Sequence, residues 1–191
     1  VMTGTLVQQD LMPVKIYRVR PDKYLMEYDV ADLTAYQGYD GEKAWFTAPW
    51  TGSAAAQPAN PDRTTDLRNR ADFDGILFNL EKKGHKAELE GTDTVNDQIA
   101  YKIKVTRKDG GVEYNLVDVK NFMLLKRVYT RLSGGKEVTV ENTFRDYRKI
   151  SGIPFAFVVE TNFAGRINEI QFDDIALDGK VEMGMFRMPG K

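Results

Sequence analysis

Tyr24-Leu25-Met26-Glu27-Tyr28-Asp29-Val30 is the stretch from which the fold can be read. Its even positions carry Tyr, Met, Tyr and Val, and its odd positions carry Leu, Glu and Asp. Successive side chains of a strand point to opposite faces, so this is a strand with one apolar face and one mostly wet face. The same period of two returns at Ile99, Tyr101, Ile103 and Val105, alternating with Ala100, Lys102, Lys104 and Thr106, and again at Phe155, Phe157, Val159 and Phe163. Between such runs stand Asp40-Gly41, Asp109-Gly110-Gly111, Ser133-Gly134-Gly135 and Ala164-Gly165, residues that tolerate the positive φ of tight hairpin turns. Sequential strands are therefore expected to be neighbours, in a meander.

Working outward, five strands fit before residue 50, over about 2–9, 12–20, 23–30, 33–39 and 43–48. The segment 49–64 then holds Pro49, Pro58 and Pro61 among small residues without periodicity, and reads as an exposed, mobile loop. Its Trp50 reads as a local anchor tucked under the sheet rim, with a gating contact to a greasy ligand as the alternative. From Thr65 to Lys83 the period lengthens. Leu67, Ala71, Ile76, Leu77 and Leu80 can share one helical face, Thr65 or Asp66 can cap its start, and Gly84 suits its end. A break or bend is expected near Asp74-Gly75, because glycine inside a helix costs ~1 kcal/mol against alanine. Strands resume over about 86–94, 98–107, 111–118, 122–132, 137–147, 154–163 and 166–176, with a last short one near 184–187. An antiparallel sheet of this size must cover its apolar face. Closing on itself or curling around the helix are the options, and the second leaves a crevice that suits a ligand.

The chain has 191 residues, enough for one well-buried domain spanning 1–191. Its formal net charge of -1, with Lys and Arg scattered singly along strands, excludes the electrostatic footprint of a nucleic-acid binder. No run reaches the ~18 consecutive apolar residues of a membrane-spanning helix. There is no cysteine, which excludes disulfides, thiolate metal sites and cysteine nucleophiles. Because Val1-Met2-Thr3-Gly4-Thr5-Leu6-Val7 begins in what reads as a strand, the natural chain is expected to extend upstream.

Residues that perform covalent chemistry are scarce. His85 is the only histidine, so a two-histidine metal site is impossible, and its place after Gly84 reads as a surface position at a helix end. No Gly-x-Ser-x-Gly, His-Glu-x-x-His or phosphate-binding loop occurs. A hydrolase would need two carboxylates facing across a cleft, and Asp173-Asp174 and Asp72/Asp74 are pairs only in sequence. No catalytic residue, metal or cofactor is assigned. What stands out is aromatic content on the inferred inner faces: Tyr24, Tyr28, Trp45, Tyr101, Tyr114, Phe144, Phe155, Phe157 and Phe172, with Met26 nearby and Ile76, Leu77 and Leu80 from the helix. A tyrosine is costly to bury dry unless its hydroxyl finds a partner, so a partly wet, partly greasy cavity accommodates these residues better than a dry core.

Several segments occur in a telling order: Tyr39-Asp40-Gly41-Glu42-Lys43-Ala44-Trp45 with a loop to Pro49, Phe73-Asp74-Gly75, and a helix ending Lys82-Lys83-Gly84-His85. Phe144-Arg145-Asp146-Tyr147-Arg148, Gly152-Ile153-Pro154 and Met185-Phe186-Arg187-Met188-Pro189 follow. This order resembles the periplasmic lipoprotein-carrier superfamily, LolA/LolB-like, of outer-membrane lipoprotein-sorting proteins. The resemblance implies a mainly β fold: a strongly curved, unclosed antiparallel sheet, a half-barrel, with a helical lid over an apolar cavity that takes acyl chains. It implies a non-enzymatic periplasmic carrier, soluble or anchored to the outer membrane, monomeric, with lipid or acylated lipoprotein as ligand. An inner-membrane releasing complex and an outer-membrane acceptor are the implied partners. A family lid latch built on a buried arginine points to Arg18 or Arg20, with Trp50 as a further gate candidate. The family helix that precedes the first strand has no counterpart here, which implies that the signal and first helix lie upstream of residue 1. A lipid sensor acting through the 49–64 segment, and less so a carboxylate-dependent hydrolase, are the other readings.

Overall fold

The structure is a computed structural model that describes residues 1–8 and 10–190. Among the described residues the strands are β1 (Met2–Val7), β2 (Leu11–Val19), β3 (Lys23–Val30), β4 (Leu33–Tyr39), β5 (Ala44–Ala48), β6 (Ser53–Pro58), β7 (Lys86–Val95), β8 (Gln98–Thr106), β9 (Val112–Asp118), β10 (Leu124–Ser133), β11 (Lys136–Ile150), β12 (Ile153–Phe163) and β13 (Arg166–Ile175). The helices are α1 (Pro61–Ala71) and the single turn α2 (Leu80–Lys83). All thirteen strands belong to one antiparallel sheet in the order β6-β5-β4-β3-β2-β1-β13-β12-β11-β10-β9-β8-β7. Its two edges, β6 and β7, do not pair, so the sheet is open. The order consists of two meanders, which is what hairpin turns between successive strands produce.

The chain divides into two compact units, one comprising Val1–Gly75, Ile150–Ile153 and Ile170–Lys191, the other Ile76–Lys149 and Pro154–Glu169. In the first unit, α1 packs against β3, β4 and β5 with Leu67 and Ala71 fully buried. β1 and β13 approach so closely at Gly4 that an added side-chain carbon would collide with the Gln171 carbonyl oxygen. In the second unit, Val95, Ala100, Leu116 and Leu125 form a buried cluster with Tyr114 packed against it.

Three sequence expectations are corrected. The segment 49–64 is not a loop: it holds a 3-10 turn at Pro49–Thr51, edge strand β6 and the start of α1. Asn60, not Thr65 or Asp66, caps the helix, its side-chain oxygen accepting from Arg63 N at 2.9 Å, with Pro61 in the first turn. The break expected near Asp74-Gly75 is present and spans 72–79, where Phe73 N–H donates to Pro21 O at 3.2 Å rather than continuing the helical ladder. The short strand expected at 184–187 is a 3-10 turn, Met183–Phe186. The end of the strand expected over 2–9 falls on Gln9, which lies outside the described residues; β1 itself ends at Val7. Gly84 does close α2 in the left-handed conformation, its N–H donating to Glu81 O at 2.9 Å.

Candidate functional site

Two surfaces carry the candidate residues, one in each unit. In the first unit the strand registers build the face that α1 covers. Arg18 lies opposite Tyr24, which lies opposite Tyr39 and then Ala44; Ile16, Met26, Gln37 and Phe46 form the next row, and Val14, Tyr28 and Ala35 the one after. Residues directly opposite across an antiparallel pair share a face, so Tyr24, Met26 and Tyr28 stand in one column against the helix. Tyr24 and Met26 are buried and Tyr28 half-buried at the end of the wall, where its hydroxyl accepts from Gln37 Nε2 at 3.3 Å. Burial pushes the Tyr24 hydroxyl above the usual tyrosine range, against the opposing pull of Arg70 and Arg18. Arg63 of α1 stacks on the Phe46 ring, 3.8 Å from its centroid.

Trp45 is elsewhere. Tyr17, Leu25, Gly38 and Trp45 form a row on the opposite face, where the residues around Phe186 cover them. The indole N–H donates to Phe186 O at 2.7 Å, and Trp45 is 2% exposed. Trp45 is therefore a structural anchor on the wrong side of the sheet to share a cavity with Tyr24. Trp50, expected under the rim, projects from the 3-10 turn and is 52% exposed. The two arginines named as latch candidates both hold the segment after α1. Arg18 Nη2 donates to the carbonyls of Arg70 (3.2 Å) and Asp72 (2.7 Å), groups that a helix end leaves unsatisfied, and Arg20 Nε pairs with Asp74 Oδ1 at 2.8 Å. Both guanidinium groups lie over the Phe73 ring, at 5.5 and 4.4 Å.

In the second unit one sheet face is a broad apolar stripe with a polar centre. Tyr101 lies opposite Val117; Ile103 opposite Asn115, then Arg127 and Asn142; Val105 opposite Glu113, then Tyr129 and Val140. Asn142 Nδ2 donates to Thr161 Oγ1 at 2.7 Å, which places Thr161, and by alternation Phe155, Phe157, Val159 and Phe163 of β12, on this same face. Phe144 joins it two residues beyond Asn142. Phe157 is buried, whereas Tyr101, Ile103, Phe144, Phe155, Val159 and Phe163 are only half-buried. Arg148 and Arg131 stack on Phe157 and Phe163, each 4.3 Å from the ring centroid. At the polar centre Glu113 is fully buried. It accepts from Arg127 Nη2 at 2.8 Å and from Asn115 Nδ2 at 3.0 Å, and Arg107 Nη1 lies 3.7 Å away. This charge-assisted network ties β9 and β10 to the residue that follows β8.

Tyr114 is on the other face of the second unit, in a row with Lys104, Val128 and Glu141. There it lies under Lys102 Nζ (4.8 Å to the ring) in a shallow groove of about 380 Å³ floored by Val95 and Leu116. Phe172, on β13 in the first unit, is buried. Ile76 and Leu77 fall in the non-helical connection and Leu80 opens α2; all three are half-buried, on no common helical face. The lone histidine has a structural partner: His85 Nδ1 accepts from Lys108 N at 3.0 Å. Among the described residues no three His, Asp or Glu side chains converge as a metal site, and no helix is long and apolar enough to cross a membrane. Sequence reasoning missed Phe46 and the Glu113 network, and it named Phe73 and Phe163 without carrying them into the candidate site. Phe163 alone had a visible signal, its place in the alternation of β12.

No family model matches the chain, and no curated protein matches it. Solved structures do match over nearly its whole length. A LolA superfamily protein from Nitrosomonas europaea superposes with a TM-score of 0.67 at 13% identity, covering 97% of this chain and 87% of the other. A putative outer membrane lipoprotein-sorting protein domain from Vibrio parahaemolyticus gives 0.63 at 15% identity, with the same coverage. The fold is LolA-like. A DUF1329 family protein from Desulfovibrio piger shares it, with a TM-score of 0.64 at 14% identity and again 97% and 87% coverage. The identity is low because a LolA-like sheet asks only for alternation and turn residues at most positions, a requirement that many sequences meet.

Proposed function

We propose that this protein binds and carries lipid acyl chains, free or attached to a lipoprotein, in the bacterial periplasm, and contributes to outer-membrane lipoprotein sorting without catalysing a reaction. The observation that carries this reading is the half-buried stripe of Tyr101, Ile103, Phe144, Phe155, Val159 and Phe163. In their own unit the one helix is the four-residue α2, too short to cover them. Apolar surface left in this state gains by covering itself, at ~25 cal/mol per Å² removed from water. An acyl chain laying down about ten methylenes gains roughly 8 kcal/mol at ~0.8 kcal/mol each, before the entropic cost of association. That range allows both capture and release. The LolA-like fold supports the same reading, through a neighbour whose name refers to lipoprotein sorting. The protein acts as a monomer, receiving its ligand from an inner-membrane releasing complex and passing it to an outer-membrane acceptor.

The test is native mass spectrometry of the purified protein, followed by solvent extraction and lipid identification. Co-purifying lipid, lost in Phe144→Glu and Phe155→Glu variants whose circular dichroism matches wild type, is the expected result. A protein that stays empty after incubation with phospholipid and with a diacylated lipopeptide refutes the proposal.

A further inference from the structure

The β9–β10 turn of the second unit holds a residue in a conformation its side chain disfavours. Phe122 has φ +60°, in the left-handed region that bulky L residues avoid, and it is 70% exposed. The turn around it is rigidly built. Asp118 N donates to Met123 O at 2.8 Å and Phe122 N to Asp118 O at 3.0 Å. The buried Asp118 carboxylate accepts from Lys120 N (2.7 Å) and Asn121 N (3.1 Å), and Asn121 Oδ1 accepts from Met123 N (2.9 Å). All these bonds use backbone groups or neighbouring side chains. Glycine or asparagine at position 122 would satisfy the turn with less strain. Burial does not account for the phenylalanine either.

What the ring does touch is Tyr101, stacked with centroids 6.4 Å apart and planes 13° from parallel. Tyr101 stands on the stripe face, and Ile99, two residues earlier on the same strand and face, is 58% exposed. The stripe thus ends in apolar surface that the turn extends. A strained residue persists where its surroundings over-determine it, and such positions cluster at ligand contacts. We infer that Phe122 contacts the ligand: with Tyr101 it forms the aromatic threshold at one end of the stripe, over which an acyl chain enters and leaves. The inference rests on the acyl-chain reading given above. Ring faces and the Ile99 side chain suit methylenes, so the class of ligand at this point is hydrocarbon rather than headgroup.

The experiment uses the full chain and 11-(dansylamino)undecanoic acid as probe, read by dansyl fluorescence. Phe122→Gly removes the ring and relieves the positive φ, so its melting temperature equals or exceeds that of wild type, while its Kd for the probe rises about tenfold, the loss of one largely covered aromatic contact. Phe122→Asn, which also tolerates the left-handed region, gives the same pair of results, and Phe122→Tyr, which keeps the ring, binds as wild type does. A structural ring behaves in the opposite way, with a lower melting temperature and an unchanged Kd. Wild-type affinity in both Phe122→Gly and Phe122→Asn overturns the inference and leaves the carrier reading standing. Unchanged affinity with lost association to phosphatidylcholine/phosphatidylglycerol vesicles overturns it in favour of a bilayer contact. A wild-type protein that binds no probe overturns both.

Discussion

Replacing Gly38 by alanine will loosen the C-terminal segment around Phe186 from the strands it covers, at a cost that the structure allows to be worked out. A Cβ added at Gly38 meets Trp45 Cε2 and Nε1 at 2.5 Å and Cζ2 at 2.7 Å, whereas ordinary contact begins near 3.4 Å. The indole must therefore retreat by roughly 1 Å, and it has nowhere to go. It shares a buried cluster with Leu25 and the fully buried Phe186, against which Val181 and Met185 pack. Overpacking of this kind costs typically 1–3 kcal/mol. Moving the indole also breaks the 2.7 Å bond from Trp45 Nε1 to Phe186 O, a further ~0.5–1.5 kcal/mol. The sum is about 1.5–4.5 kcal/mol, and with a urea m-value of roughly 2–3 kcal/mol per M the unfolding midpoint should fall by about 0.5–2 M. Urea titration by circular dichroism measures this, and the near-ultraviolet band of the buried indole reports the displacement. Gly184→Ala is the control: nothing lies within 4 Å of its added carbon, so its change stays within ~0.5 kcal/mol. Trp45→Phe removes most of the clashing atoms, so the Gly38→Ala/Trp45→Phe pair should be more stable than the sum of the single changes. A Gly38→Ala protein within ~0.5 kcal/mol of wild type would refute the packing argument.

Arg18→Leu should speed amide exchange in α1 and the residues after it, since its guanidinium holds the Arg70 and Asp72 carbonyls and such charged bonds contribute ~1.5–3 kcal/mol. Arg20→Leu removes a solvent-screened pair and should change exchange little; equal effects from the two would refute the distinction. Glu113→Ala leaves Arg127 and Arg107 without their buried partner and should cost about 3–5 kcal/mol in urea unfolding, Glu113→Gln less; a loss under ~1 kcal/mol would show that the network is not buried as described. Tyr147 is buried enough to push its hydroxyl up to about 12, and it donates to Leu124 O at 2.7 Å. A tyrosine pKa raised in the folded state adds stability that is complete below the unfolded value near 10 and is lost as pH rises from about 10 to about 12. Ultraviolet titration should therefore show late-ionising tyrosine amplitude that falls in Tyr147→Phe, whose stability should decline less steeply over that window. Unchanged late amplitude would refute the assignment.

Strands were legible where alternation and turn residues agreed, as from Lys23 to Tyr39, because half-burial imposes a period that a sequence cannot hide. β6 was not legible. Ser53-Ala54-Ala55-Ala56-Gln57-Pro58 is an exposed edge whose pairing with β5 is a backbone matter, and its small side chains record neither face. The end of α1 was hidden for a different reason. Leu67, Ala71, Ile76, Leu77 and Leu80 keep helical spacing, yet the helix stops at Ala71 because Pro21 and Arg18 of the β2–β3 region take the backbone groups that would have continued it. That competition is tertiary, and the local signal at Asp74-Gly75 marks the break but not that the helix already stops at Ala71. The cap at Asn60-Pro61 was visible in principle, but the prolines around it pointed equally to a loop.

The site was legible to the same depth and failed at the next step. Alternation fixes which residues of one strand share a face, and it placed Tyr24 with Met26 and Tyr28, and Phe155 with Phe157, as the structure has them. It cannot say which face of one strand joins which face of the next. That phase is set by register, and a shift of one residue reverses it. Grouping Trp45 and Tyr114 with the inner aromatics assumes that every aromatic side chain points inward. The register places Trp45 beside Gly38 and Tyr114 beside Lys104, on the faces opposite Tyr24 and Tyr101 respectively. Both had a cue. Gly38 opposite a large ring is a position where only a missing side chain lets the indole lie flat, and Lys102 and Lys104 flanking the row of Tyr114 mark a face that meets water. Composition across a pair of strands, rather than along one, is where the phase is written. Tyr101 is paired with Val117 and Thr92, uncharged neighbours that leave its face free for the stacked ring of Phe122.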